Sequence, residues 1–69
     1  MDVWLQTEGA VKGESLGFRF ARSPQQATAM TQNNAREAMR GAKREYPDYM
    51  WEMESGFNSG EFVVHGQKT

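Results

Sequence analysis

Four short stretches of this chain place a large apolar residue at every second position. Two lie before and two after a segment in which alanines recur at helical spacing. Period two marks a strand with one face buried, and a period near 3.6 marks an amphipathic helix. Val3, Leu5 and Thr7 alternate with Asp2, Trp4, Gln6 and Glu8. Leu16, Phe18 and Phe20 alternate with Ser15, Gly17, Arg19 and Ala21. Tyr49, Trp51 and Met53 alternate with Asp48, Met50, Glu52 and Glu54, and Phe62 and Val64 with Glu61, Val63 and His65. Between the second and third stretches, Ala27, Thr31, Ala35, Ala38, Ala42 and Tyr46 share one stripe, with Met39 at its edge. The pattern predicts an α+β fold of order β-β-α-β-β, with one long helix on a four-stranded, mainly antiparallel sheet.

The punctuation between these stretches supports the same order. Glu8 to Gly13 reads as a hairpin loop, and Gly56-Phe57-Asn58-Ser59-Gly60 as a second turn-rich loop. Ser23-Pro24-Gln25-Gln26 reads as a helix start, with Ser23 as the cap and Pro24 at the first helical position. Pro47 disfavours helical geometry at Tyr46 and ends the helix there. A helix from Pro24 to Tyr46 is therefore expected. Alternating strands suit an antiparallel sheet with one solvated face, which favours the spatial order 2-1-3-4. The alternative pairs the second and third strands in parallel. Alanines contribute little area but let the helix approach closely, so Phe18, Phe20, Trp51 and Phe62 are expected in a core against Ala35, Ala38 and Ala42.

At 69 residues the chain, 1–69, reads as a single domain. It has no cysteine, so neither a disulfide nor a thiolate metal site can reinforce a core this small. No apolar run approaches the roughly 18 residues of a membrane span. Met1-Asp2-Val3-Trp4-Leu5 lacks the basic and then apolar character of a secretory signal. A cytoplasmic protein with no membrane association is expected.

The net charge of -1 conceals a segregation by face. Arg36, Arg40, Lys43 and Arg44 fall on the helix away from the alanines. Asp2, Glu8, Glu52, Glu54 and Glu61 fall on strand positions away from the large apolar residues. The uncovered sheet face would then show Trp4, Met50 and Val63 among Arg19, Glu52, Glu54 and Glu61. Apolar residues ringed by charge on an open face mark an interaction site. The expected partner-binding set is Trp4, Arg19, Met50, Glu52, Glu54 and Glu61. The basic helix residues Arg36, Arg40, Lys43 and Arg44 form the alternative, a nucleic-acid-binding set, although Glu37 and Glu45 interrupt it.

No catalytic constellation is legible. Glu52 and Glu54 share a strand face, but a flat exposed strand offers none of the desolvation that separates the pKa values of a working carboxylate pair. His65 is the single histidine, and no motif supplies it with a nucleophile. A metal site built from His65, Glu61 and Glu52 would require a matching register of strands three and four. Gly9-Ala10-Val11-Lys12-Gly13 does not match a phosphate-binding loop. No enzyme activity, cofactor, metal or small-molecule substrate is expected.

The whole-chain pattern, from about residue 2 to 66, resembles the small phage-encoded inhibitor proteins of the anti-CRISPR type. The strand Leu16-Gly17-Phe18-Arg19-Phe20, the helix opened by Ser23-Pro24, and the carboxylates Glu52, Glu54 and Glu61 carry this resemblance. It implies a protein that inhibits or modulates a larger nucleic-acid-handling protein by occluding its nucleic-acid site with an acidic surface; a monomer or weak homodimer is expected. The near-neutral charge balance departs from close mimicry of DNA. The other expectations are a small nucleic-acid-binding module and a structural homodimeric phage or bacterial protein.

Overall fold

A computed structural model of the chain describes residues 1–6 and 19–69. The strands are β1 (Asp2–Gln6), β2 (Arg19–Ala21), β3 (Tyr49–Ser55) and β4 (Phe62–Lys68), and the helix is α1 (Gln32–Glu45). A single 3-10 turn, Pro24–Gln26, precedes α1. The element order is the expected β-β-α-β-β, and every strand pair is antiparallel. Phe18, Glu8 and the first hairpin loop lie outside the described residues.

The sheet order is β2-β1-β4-β3, rather than the 2-1-3-4 expected from the sequence. The last strand, not the third, enters beside β1, with Val3 opposite Gly66 and Trp4 opposite His65. Both arrangements satisfy antiparallel pairing, so parity alone does not separate them. Within the β3–β4 pair, a Cβ on Gly66 would lie 2.3 Å from the ring of Trp51 opposite it, so the bare backbone of β4 provides a floor for the indole.

The helix is shorter than expected. Residues 27 to 31 are not helical, and their backbone groups pair with strand ends instead. Thr28 N–H donates to Leu5 O at 3.1 Å, and Met30 and Phe62 exchange backbone bonds of 2.8 and 2.7 Å. These bonds draw Met30, 7% exposed, into the core. Ser23 makes no side-chain cap, whereas the Thr31 hydroxyl accepts from Asn34 N–H at 3.3 Å. Thr31→Ala should therefore destabilise the fold by about 1 kcal/mol, which lowers the melting midpoint by about 4–8 °C in a domain of this size. Ser23→Ala should leave it nearly unchanged. Equal effects from the two in a thermal melt would contradict the observed helix start.

The helix lays Ala35, Ala38 and Ala42 against the sheet, each at most 1% exposed. Val3, Leu5, Met30, Trp51 and Val64 complete the buried cluster, with Phe20, Met39, Tyr46, Tyr49, Met53 and Phe62 partly buried around it. The expected core placement of Phe20, Trp51 and Phe62 against the alanines is thus observed. Trp51 also fixes the exit of the helix, since its Nε1–H donates to Tyr46 O at 3.1 Å. Lys43 and Arg44 occupy the last turn of α1, where cations complement the helix dipole. All of this lies on one side of the sheet. Among the described residues, the other side of the sheet carries no helix. Among the described residues, no helix is long and apolar enough to cross a membrane.

Candidate functional site on the open sheet face

Strand register places the open face in rows. One row runs Asp2, Gln67, Met50 across β1, β4 and β3. The next runs Ala21, Trp4, His65, Glu52 across all four strands. Glu54 follows Glu52 by two positions on β3, so it faces the same way and lies diagonally across from His65.

His65 is the centre of this arrangement. Its ring stacks on Trp4 with centroids 4.8 Å apart and planes 19° from parallel. Its Nδ1 lies 3.2 Å from Glu52 Oε1 and 3.2 Å from Glu54 Oε2. Its Nε2 lies 3.6 Å from Asp2 Oδ1, and the side chain is only 13% exposed. Among the described residues, His65 Nε2 is the buried side-chain polar atom that has no hydrogen-bond partner. Trp4 closes the cluster, with Nε1–H donating to Glu54 Oε1 at 3.2 Å. Glu54 thus presents one carboxylate oxygen to the indole and the other to the imidazole.

The sequence-derived set divides on this geometry. Trp4, Glu52 and Glu54 come together around His65, which that set omitted. Trp4 is half-buried and serves as a platform rather than a free anchor. Its indole, bonded to a carboxylate on β3, must cross β4, the strand that carries Val63 and His65. Val63 does face this side, but it is 3% exposed instead of open to solvent. Met50 is 66% exposed at the edge of the face. Arg19 is exposed at the start of β2, opposite Gln6.

Glu61 does not join the other acids. Glu52 faces His65 across the strands and Glu54 faces Val63. Glu61 precedes β4 and is held in the turn, where Asn58 Nδ2 donates to its Oε1 at 2.8 Å and Gly56 N–H to its carbonyl at 2.7 Å. Gly60, with φ 80°, supplies the left-handed residue of that turn.

On the opposite side of the molecule, Arg36, Arg40, Lys43 and Arg44 are all exposed on α1, and Arg40 pairs with Glu37 at 3.7 Å. The basic helix surface and the acidic sheet surface therefore face away from each other, as the charge pattern predicts. His65 could have been added to the site only with the register in hand. Its sequence signal is the shared parity with Val63, and that says nothing about which carboxylates lie opposite. Nothing among protein-family models, curated proteins or solved structures matches this chain.

Proposed function

We propose that this chain is a non-enzymatic binding protein that docks its open sheet face on a basic surface of a larger nucleic-acid-handling protein, as an inhibitor or modulator of the anti-CRISPR kind. One observation carries the reading: Asp2, Glu52 and Glu54 converge on the sheet face opposite α1 around a Trp4–His65 stack, with Met50 exposed beside them. Acidic groups at the edge of such a face steer association and select a basic partner. The stacked pair holds those groups in place before binding, which reduces the ordering cost of association. The recess that Met50, Glu52, His65 and Gln67 line on this face has a volume of about 70 Å³, below the roughly 300–1,000 Å³ of small-molecule pockets, so the face suits a protein surface better than a small substrate.

The four exposed cations of α1 support a second reading, a nucleic-acid-binding module. Charge reversal separates the two. Glu52→Lys with Glu54→Lys should slow association with a partner protein isolated from cell lysate by about tenfold or more, the scale of electrostatic steering. Arg36→Glu with Arg40→Glu and Arg44→Glu should change it little, and the unmodified protein should show no salt-sensitive affinity for DNA. If the helix set abolishes binding, or if DNA binds with a steep salt dependence, the basic-face reading replaces this one.

A further inference from the structure

We infer that Glu52, Glu54 and His65 form a binding site for a divalent transition-metal ion of the zinc class, with His65 Nδ1 and one oxygen from each glutamate as ligands. The inference stands apart from the docking proposal and needs no partner to test. One donor atom from each of the three residues lies within 4.8 Å of the others. Zinc holds nitrogen and oxygen ligands at about 2.0–2.1 Å, so ligands at tetrahedral or right angles are roughly 2.9–3.4 Å apart. Both nitrogen-to-oxygen separations here, at 3.2 Å, fall in that interval.

The electrostatics call for a cation at this point. Two carboxylates converge on one ring nitrogen, and a single N–H cannot donate fully to both. A metal ion in its place satisfies all three donors at once. One imidazole with two carboxylates suits a borderline ion and disfavours Mg2+, which takes oxygen ligands in a strict octahedron.

The groups behind the ligands are arranged as a metal site requires. Metal-bound histidines donate their other ring N–H to a carboxylate or carbonyl. Metallation at Nδ1 leaves the ring proton on Nε2, a buried atom with no hydrogen-bond partner as placed, and Asp2 Oδ1, 3.6 Å away, must close by a few tenths of an ångström to accept it. Trp4 Nε1–H holds Glu54 Oε1 and leaves Oε2 turned toward His65. The stacked indole fixes the plane of the imidazole. Glu52, with its side chain 64% exposed, is the outermost ligand, so water can complete the coordination shell from the solvent side.

The test is calorimetric titration of Zn2+ into metal-stripped protein, repeated with Co2+ while following the Trp4 indole proton by NMR. One ion per chain should bind, millimolar Mg2+ should not compete, and Co2+ should shift the Trp4 resonance strongly. Glu52→Gln combined with Glu54→Gln should abolish binding. Asp2→Asn should weaken it about 10–100-fold, the usual effect of removing such a supporting group. Melting in chelator shows that each variant is folded, and the exposed Glu52→Gln alone provides a ligand deletion with little effect on packing. Absence of Zn2+ uptake, displacement by Mg2+, or binding that survives the double glutamine variant would overturn the site.

Discussion

Gly66→Ala should lower the melting midpoint of this protein by about 10–20 °C, a loss of about 2–3 kcal/mol. Ordinarily alanine is the better residue within a strand, by about 0.5–1 kcal/mol, because glycine loses more conformational freedom on folding. Gly66 has no positive φ among the described residues, so its backbone would accept alanine without strain. The steric term decides the sign. The added methyl would lie 2.3, 2.6 and 2.7 Å from three carbons of the Trp51 ring. That ring cannot simply move aside. Tyr49 stacks on it at 5.4 Å, Phe20 and Tyr46 lie at 6.0 and 6.4 Å, and its Nε1–H is bonded to Tyr46 O. A thermal melt that shows no change, or a rise, would mean that Trp51 does not lie over β4.

Trp51→Ala should have a larger effect. The residue is 8% exposed and links β3, the Gly66 gap in β4 and the end of α1. Removing a buried tryptophan typically costs about 3–5 kcal/mol, which is comparable with the whole stability that one small core supplies. The variant should lose its cooperative denaturation transition at 25 °C. Trp51→Leu should retain a transition at reduced stability. In that background Gly66→Ala should cost much less than in the parent protein, because the two residues occupy the same space and their effects do not add. Additive effects in this double-mutant cycle would show that the glycine and the indole are energetically independent.

The alternation of apolar residues along each strand determined which side chains face the helix. Val3, Leu5, Phe20, Trp51 and Val64 pack under α1, while Trp4, Met50, Glu52, Glu54 and His65 lie on the other side. The alanine stripe determined the contact surface of α1 from Ala35 onward, and Pro47 marked its end. These are local properties. Parity and helical spacing depend only on neighbours in the chain, so they can be read without knowing what packs against them.

The start of the helix was not local in this sense. Ser23-Pro24 opens only a single 3-10 turn, because Thr28 and Met30 gain backbone partners on Leu5 and Phe62 that a continuous helix would deny them. The site is less local still. Trp4 and Glu54, which share a hydrogen bond, are 50 residues apart in sequence, and the strand carrying His65 passes between theirs. Sequence parity placed Glu52 and Glu54 on one face, but only the register of β3 and β4 set His65 against them and left Glu61 in the turn. The order β2-β1-β4-β3 rests on the fit of β1 beside β4, where Val3 lies opposite Gly66 and the rings of Trp4 and His65 stack. That complementarity is a property of two surfaces brought together, and neither stretch of sequence carries it alone.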